Sequence, residues 1–364
     1  MNILLTSGIY PPDIGGPANY IPKLAEKLLS LGFSVDVIAL GDESSFKKID
    51  NFTVRIISRK IPLFFRFMLV FFHILRGLSS SKYVFSNGIY EETGLALLFN
   101  KRRSVVKIVG DPIWEKAVNQ GKTKMNISEF QKASNFGSPR RKLLNFSIKQ
   151  FSEIITPGEN LLNIIKEWGD FKNIKVVSNG VKIDEKMNEV TENEFDFIST
   201  SRLVKWKNVE KIIDLAKETS CKVLIIGDGP ERDNLEKYAK DLNVKVTFLG
   251  KMPQSLLRSY MQKSKIFVLL SDYEGQSFAL LEALSLGMPI LASNIQANVE
   301  VLVDSVNALL VNQNDFHELK KAAFRILEDG DLRQKMKKNN YELSKNKFNL
   351  ERNLEITIRS ILGE

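Results

Sequence analysis

The sequence predicts an α/β protein with two doubly wound, Rossmann-like domains that face each other across a cleft. Short apolar segments alternate with amphipathic segments along the chain, as strands and helices do around parallel sheets. The alternation breaks once, at the acidic stretch 188–195, and then restarts. A chain of 364 residues is long enough for two domains of about 100–200 residues each.

In the first half, the apolar run NILLTSG predicts a strand, and leucines at helical spacing before a glycine predict a helix over 17–32. Further strands are predicted at 33–40, 52–58, 83–88, 104–111, 153–158 and 174–181. Together these segments form the first predicted domain, residues 1–185.

In the second half, the same alternation predicts a domain over residues 190–345. Its strands are predicted at 196–203, 222–230, 244–250, 265–271 and 289–293, with helices between them and at 315–329 and 331–344. An amphipathic helix is predicted within the last segment, 346–364.

Composition favours a globular chain in a reducing compartment. Hydrophobic residues make up 43% and charged residues 26%, which is enough for a sizeable core. The single cysteine, Cys221, leaves no disulfide framework and no thiolate metal cluster. The first residues lack the basic start and small-residue cleavage site of a signal peptide, so a cytoplasmic location is expected.

The positive charge is concentrated in the first half of the chain. Residues 1–180 contain 25 Lys and Arg against 15 Asp and Glu, whereas residues 181–364 contain 27 against 28. A basic half suggests an anionic partner, either nucleic acid or anionic lipid. Nucleic acid is not expected, because Arg/aromatic signatures and Cys/His fingers are missing.

The most apolar stretch, IPLFFRFMLVFFHILRGL at 61–78, has two interpretations. It is either a buried helix or a helix at a membrane surface, with phenylalanines in lipid and arginines at headgroups. It is shorter than the ~20 apolar residues of a membrane span. Arg66 and Arg76 interrupt it and Arg59 and Lys60 precede it. We therefore expect residues 59–78 to contact an anionic membrane, peripherally on the inner face.

The stretch YEGQSFALLEALSLGMPIL contains two glutamates, one before an apolar helix and one on it. Ser277 is a suitable N-cap for a helix from Phe278. Glu274 therefore follows a strand, and Glu282 lies on the second turn of the helix. Two carboxylates beside a helix start suit a sugar nucleotide, because each can accept hydrogen bonds from hydroxyl groups. Alternatively, they are a surface glutamate and a helix-dipole glutamate.

The start of this helix is a predicted phosphate site. The backbone N–H groups of Gln276, Ser277 and Phe278 precede or begin the helix, where orphan donors and the helix dipole favour an anion. Gly275 allows a ligand to approach the backbone closely.

Two cations around another strand-to-helix turn can neutralise a diphosphate. Arg202 offers a planar fork and Lys207 a point charge; alternatively the turn is a solvated basic loop. A glycine pair, Gly15 and Gly16, precedes the first helix and can wrap phosphate or sugar, although it is also compatible with a tight turn. The G-x-G-x-x-G spacing of dinucleotide folds is missing, which disfavours a dehydrogenase.

The order and spacing of these motifs resemble the GT-B glycosyltransferases of family four. The resemblance covers nearly the whole chain and is densest from 198 to 295. It rests on PPDIGGPANYIPKLAEKLLSLGFSVDVIA, SNGV, SRLVKWKNVEKII, LIIGDGPERDNLEKYAKDL, VTFLGKMPQSLLRSYMQKSKIFVLLSDYEGQSFALLEALSLGMPILAS and LERNLEITIRSIL.

The resemblance implies an enzyme that transfers a sugar from a UDP- or GDP-sugar with retention, to an acceptor sugar or lipid-linked saccharide held by the first domain. The implied roles are Glu274 at the donor sugar, Glu282 at the ribose, Arg202 and Lys207 at the diphosphate, Lys251 and Met252 at the nucleobase, and Gly15 and Gly16 closing over the donor. The N–H groups after Gly275 would meet the donor, the last helix would cross back to the first domain, and no metal or other cofactor is expected.

Two positions depart from the family pattern. Many relatives carry a histidine after the strand VVKIVGD, where this chain has Asp111. Asp111 is therefore a candidate to contact the sugar or the acceptor, or else it caps the next turn. Gln276 stands where relatives often carry an aromatic residue, and it is a candidate to tune the choice of donor sugar.

The missing histidine leaves alternatives open. A non-catalytic nucleotide-sugar binding protein on the same fold would bind the donor without turnover. A GT-B epimerase would convert the donor without an acceptor. A GT-B phosphorylase needs a lysine-bound pyridoxal, for which the sequence carries no signal. The expected pathway is assembly of cell-surface polysaccharide or glycolipid.

Overall fold

The computed structural model describes residues 1–13, 15–133, 138–185 and 193–364. The chain divides into two compact units: unit 1 is Met1–Val177 with Arg352–Glu364, and unit 2 is Ser178–Glu351. Most of the acidic stretch predicted as the linker lies outside the described residues, and its last residue, Phe195, begins a strand.

Unit 1 is built on an eight-stranded sheet. Its strands are β1 (Asn2–Ser7), β2 (Ser34–Gly41), β3 (Ser45–Ile49), β4 (Phe52–Ser58), β5 (Tyr83–Asn87), β6 (Arg103–Lys107), β7 (Glu153–Thr156) and β8 (Ile174–Val176). They lie in the order β3-β4-β2-β1-β5-β6-β7-β8. Every neighbouring pair is parallel except β3 and β4.

The helices of unit 1 connect these strands in the expected alternation. They are α1 (Gly16–Ser30), α2 (Leu63–Ser80), α3 (Tyr90–Phe99), α4 (Pro112–Asn119), α5 (Ile127–Lys132), α6 (Pro139–Ile148) and α7 (Glu159–Trp168). The sequence missed β3 because all five of its residues are exposed, so it has no buried face to produce an apolar period. The strand predicted over 104–111 ends at Lys107, and Asp111 caps the following helix α4.

Unit 2 contains a six-stranded, wholly parallel sheet. Its strands are β9 (Phe195–Thr200), β10 (Val223–Ile226), β11 (Val246–Leu249), β12 (Ser264–Leu269), β13 (Ile290–Ser293) and β14 (Leu309–Val311). Their order is β11-β10-β9-β12-β13-β14. The chain first winds from β9 toward β11 and then returns to the other side of β9, so the topological switch point lies between β9 and β12.

The helices of unit 2 cover both faces of this sheet. They are α8 (Val209–Thr219), α9 (Arg232–Asp241), α10 (Gln254–Gln262), α11 (Phe278–Ser285), α12 (Gln296–Val299), α13 (Phe316–Glu328), α14 (Gly330–Lys347) and the first residues of α15 (Leu350–Leu362). Alternate strand residues such as Phe197 and Ile198 lie in two separate apolar clusters, one on each face. Two doubly wound, Rossmann-type sheets are therefore confirmed.

The unit boundary lies before the residue predicted from sequence. Segment 178–185 groups with unit 2 because the Val181 N–H donates to the Phe348 carbonyl over 2.8 Å and the Tyr341 hydroxyl donates to the Asp184 carbonyl over 2.6 Å. Most of α15 groups with unit 1, where the hydroxyls of Tyr20 and Thr357 lie 2.7 Å apart.

Helix α2 has one buried stripe and a large exposed apolar face. Val70, Ile74 and Leu78 are buried, at the four-residue spacing of one helix face. Phe64 and Phe65 are 70% and 65% exposed. By length and composition alone the helix is long and apolar enough to cross a membrane. Only 17% of it is buried inside the protein. The interpretation as a buried helix is therefore wrong for most of its surface.

Lys107, at the end of β6, is a buried cation that makes stability depend on pH. Its side chain has no exposed surface, and its ammonium group lies 3.9 Å from the centre of the Tyr20 ring. Burial lowers the pKa of Lys107 from 10.5 to about 7. The unfolded chain therefore binds more protons than the folded chain between these two values, and stability rises with pH across that window.

We expect the free energy of unfolding to increase by about 2 kcal/mol from pH 7 to pH 9 through this group. Lys107→Met should remove that slope and raise stability at pH 7, because the replacement buries no charge. Denaturant titrations of both proteins at the two pH values measure it. Parallel pH profiles for the wild type and the variant would contradict the assignment.

Candidate active site

The loops that follow β9 and β12 carry the predicted site. In an open parallel sheet, ligands bind beyond the carboxyl ends of the strands at the switch point. Residues 201–208 follow β9 and residues 270–277 follow β12, and these two strands are direct neighbours. Topology alone therefore brings the predicted cations and the first glutamate to one edge of the unit 2 sheet.

Lys207 and Glu274 form an ion pair at this edge. The Lys207 Nζ lies 2.5 Å from the Glu274 Oε1, and the Ser271 hydroxyl donates to the same oxygen over 2.7 Å. The two charged side chains are only 15% and 8% exposed. The carboxylate and the ammonium group are thus held together at the carboxyl end of the sheet.

The turn that carries Lys207 is fixed by the neighbouring loop. Residues Lys205–Lys207 form a single 3₁₀ turn that ends at Asn208. The Asn208 side-chain amide donates to the Leu270 carbonyl over 2.9 Å and to the Asp272 carboxylate over 2.7 Å. These bonds join the loop after β9 to the loop after β12, so they set the register of Lys207 against Glu274.

Arg202 lies on the same loop as Lys207, after β9, and two glycines leave room for the backbone of this loop. A Cβ on Gly227 would lie 1.8 Å from the Ser201 carbonyl oxygen, and a Cβ on Gly229 would lie 2.2 Å from that of Leu203. The GDGP turn is therefore glycine-rich because the Arg202 loop crosses its backbone. The Arg202 side chain is exposed and makes no hydrogen bond or ion pair with any residue that the structure describes.

Gly229→Ala should move the Arg202 loop and lower turnover of the proposed transfer reaction about tenfold, because small displacements of a binding group reduce rate strongly. Nucleotide release from a donor sugar measures the effect. The control is Gly330→Ala, since the nearest atom to a Cβ at Gly330 is 3.7 Å away. Equal activity in the two variants would contradict the loop's role.

Helix α11 begins as the sequence predicts. The Ser277 hydroxyl caps it by accepting from the Leu280 N–H over 3.3 Å, and Phe278 is its first residue. Within the described part of the chain, the N–H groups of Gln276, Ser277 and Phe278 have no acceptor, and these residues are half-buried. Orphan donors at a helix start are suited to a phosphate.

Glu282 lies on α11 with a set of partners that the sequence analysis missed. Its carboxylate accepts from the Gln254 amide at Oε1 and from the Arg258 guanidinium at Oε2. Arg258 also donates to Asp184 over 2.7 Å and to Ser285 over 3.0 Å. Burial alone would lower the pKa of Arg258, but the two carboxylates outweigh it and raise that pKa. The four-residue spacing of Gln254 and Arg258 in a helical segment was the sequence signal that could have indicated these partners.

The remaining predicted residues of unit 2 have structural neighbours. The Gln276 side-chain carbonyl accepts from the Asn179 N–H over 2.6 Å, which ties the SNGV loop to the start of α11. Gln276 therefore has a structural contact as well as its predicted position near a donor sugar. Lys251, exposed, and Met252, half-buried, follow β11 at the same edge of the sheet.

The structure corrects the prediction that Asp111 contacts the sugar or the acceptor, because this residue is a buried helix cap. It caps α4 by accepting from the N–H groups of Ile113 and Trp114 over 2.9 and 3.2 Å. Its other oxygen lies 2.5 Å from the Arg141 guanidinium, and the Asp111 side chain has no exposed surface. The capping alternative is therefore the observed one. Gly15 and Gly16 lie at the start of α1, also in unit 1.

Known proteins resemble this chain in sequence and in fold. The family model for glycosyl transferases group 1 matches residues 181–343. An uncharacterized glycosyltransferase of Methanocaldococcus jannaschii, MJ1178, is 24% identical over 97% of this chain and 95% of its own. Residues 181–343 of the chain are therefore similar to group 1 glycosyl transferases, and the similarity to MJ1178 extends over nearly the whole chain.

Other relatives of this chain align over about half of their length. The UDP-Gal:alpha-D-GlcNAc-diphosphoundecaprenol alpha-1,3-galactosyltransferase of Escherichia coli is 29% identical over 45% of this chain and 48% of its own. Among solved structures, Anabaena HepE in complex with UDP-glucose has a TM-score of 0.79 at 17% identity and covers all of both chains. The fold of this chain is therefore GT-B, as predicted.

Proposed function

We propose that this glycosyltransferase moves a sugar from a nucleotide-diphosphate sugar to an acceptor hydroxyl with retention at the anomeric carbon. The observation that carries the proposal is the buried Lys207–Glu274 pair at the switch point, with Lys207 on the loop before α8 and Glu274 on the loop before α11. The Lys207 ammonium group can bind a diphosphate, and the Glu274 carboxylate can accept hydrogen bonds from sugar hydroxyls. The two groups are in direct contact.

In the proposed reaction, the bond between the anomeric carbon and the phosphate oxygen breaks, and its electron pair stays on the departing diphosphate. The acceptor oxygen bonds to the anomeric carbon on the same face, and its proton passes to the leaving phosphate. Arg202, Lys207 and the N–H groups at the start of α11 stabilise the charge on the departing oxygens. Glu274 positions the sugar and is not a nucleophile.

This set of groups does the work of a cation, so the proposal needs no metal ion or other cofactor. The donor is a UDP- or GDP-sugar; HepE is solved with UDP-glucose, and the E. coli relative is named for a UDP-sugar and a lipid diphosphate acceptor. We assign the acceptor, a sugar or lipid-linked saccharide, to unit 1, in the assembly of cell-surface polysaccharide or glycolipid.

The test is release of UDP or GDP from a panel of their sugars, with and without acceptor sugars and lipid-linked saccharides. We expect release that depends on an acceptor, with retention seen in the product by NMR, and no change on adding EDTA. Glu274→Ala with undiminished turnover on every active donor would contradict the assigned site.

A second candidate is a non-catalytic nucleotide-sugar binding protein. The observation that favours it is the burial of Asp111 against Arg141, because a carboxylate with no exposed surface does not replace the histidine that many relatives carry at this position. In the same assay, binding of a nucleotide sugar without turnover on any acceptor would support it. Conversion of the donor without an acceptor would instead support an epimerase.

We also propose that the protein is cytoplasmic and binds the inner face of the membrane peripherally through residues 59–78. Phe64 and Phe65 are exposed at the start of α2, and exposed Lys60 and Arg76 lie before and within it. Exposed aromatic residues with cations nearby suit an anionic lipid surface.

Replacing both Phe64 and Phe65 with serine should lower vesicle binding about 10²–10⁴-fold, since burying the two side chains in lipid contributes about 3–6 kcal/mol in total. Co-sedimentation with vesicles of phosphatidylglycerol and phosphatidylcholine measures this, and binding should weaken with salt. Phe316→Ser, at an exposed position of α13, is the control. No wild-type binding at low salt would contradict the membrane proposal.

A further inference from the structure

Helix α10 presents two polar side chains to the second glutamate. Gln254 and Arg258 are four residues apart and so lie on one helix face. That face meets Glu282 and Ser285, which are three residues apart on α11. The two helices are therefore joined by polar contacts at this point, beside the apolar contacts that cover the rest of the sheet face.

The hydrogen bonds from Gln254 and Arg258 fix the position of the Glu282 carboxylate, and Arg258 compensates its charge. The Glu282 side chain is 5% exposed and the Arg258 side chain 13% exposed. A buried carboxylate is costly unless a cation compensates it. One donor on each oxygen also prevents the carboxylate from rotating, so its orientation is set before any ligand arrives.

Arg258 is itself anchored from a second direction. Its other terminal nitrogen donates to the Asp184 carboxylate over 2.7 Å. Asp184 follows the SNGV loop, and its carbonyl accepts from Tyr341. The guanidinium therefore bridges the carboxylates of Glu282 and Asp184, and the bond to Asp184 anchors it independently of Glu282.

We propose that Arg258, with Gln254, is a positioning residue that presents the Glu282 carboxylate to the ribose hydroxyls of the donor nucleotide. This inference rests on the proposed function, because it requires that a donor nucleotide binds beside Glu282. Arg258 itself does not touch the ligand. A carboxylate that is already oriented binds two vicinal hydroxyls without the cost of ordering.

The readout is discrimination between ribose and dideoxyribose, measured by calorimetry. The probes are UDP, GDP and their 2′,3′-dideoxy counterparts. For whichever base binds, we expect the wild type to prefer the ribose form about 10- to 100-fold, the usual strength of hydrogen bonds to a charged group. Arg258→Met should reduce that preference to about threefold or less, and Arg258→Lys should restore part of it.

Two further variants separate positioning from general damage. Arg325→Met removes an exposed arginine from the same unit and should keep the wild-type preference. Gln254→Leu removes the donor at the other oxygen and should also reduce the preference, which gives a second test if Arg258→Met does not fold.

The outcomes are distinguishable. Folded Arg258 and Gln254 variants that bind more weakly but keep the wild-type preference for ribose would overturn this inference alone. If neither UDP nor GDP binds the wild-type protein, both the proposed function and the inference are contradicted. Loss of the preference with the diphosphate contacts intact supports both.

Discussion

Replacing Arg202 with methionine should lower turnover about 10²–10³-fold, the usual effect of removing one preorganised donor from a developing negative charge. Arg202 is exposed and makes no side-chain contact with the described residues, so stability should change by no more than about 0.5 kcal/mol. Nucleotide release under saturating donor measures the first effect, and denaturant titration the second. A large kinetic loss with unchanged stability is the signature of a ligand-binding cation.

Lys205→Met is the matched control. Lys205 is also exposed and lies three positions after Arg202 on the same loop, so its replacement changes the net charge of the loop equally. We expect it to keep turnover within about threefold, since long-range charge effects on an exposed loop are screened. If Arg202→Met and Lys205→Met reduce turnover equally, Arg202 has no specific contact with the diphosphate.

Replacing Arg141 with methionine should cost about 3–5 kcal/mol of stability, the range for breaking a buried ion pair by removing one partner. The Asp111 and Arg141 side chains are 0% and 3% exposed, and the Arg141 guanidinium also lies 4.4 Å from the Trp168 ring. The variant would leave the Asp111 carboxylate buried with only the N–H groups of α4. Denaturant titration of both proteins measures the loss.

Arg140→Met is the control here, because Arg140 is the adjacent residue and is exposed. It should change stability by no more than about 0.5 kcal/mol. Adding Asp111→Asn to Arg141→Met should recover part of the loss, since it removes the uncompensated charge while keeping a capping side chain. A loss below about 1 kcal/mol for Arg141→Met would show that the pair is not a structural requirement.

The predictable parts of this protein are those that a local pattern encodes. Alternating strands and helices predicted the two Rossmann-type sheets, and Ser277 predicted the start of α11 to the residue. The strand order of the unit 2 sheet places the loops with Arg202, Lys207 and Glu274 at one edge. The exposed strand β3 was missed because a strand without a buried face carries no period.

The sequence by itself determined the fold and which loops reach the site, because period and glycine stops depend only on neighbours in the chain. Tertiary structure alone decided the partners of each charge. Lys207 meets Glu274 across 67 positions, Arg258 meets Glu282 across 24, and Arg141 takes Asp111 from across 30. A side chain's charge is written in the sequence, but its dielectric surroundings and its counter-ion are set by how distant elements pack. For that reason the sequence could not predict that Glu274 pairs with Lys207 or that Asp111 pairs with Arg141.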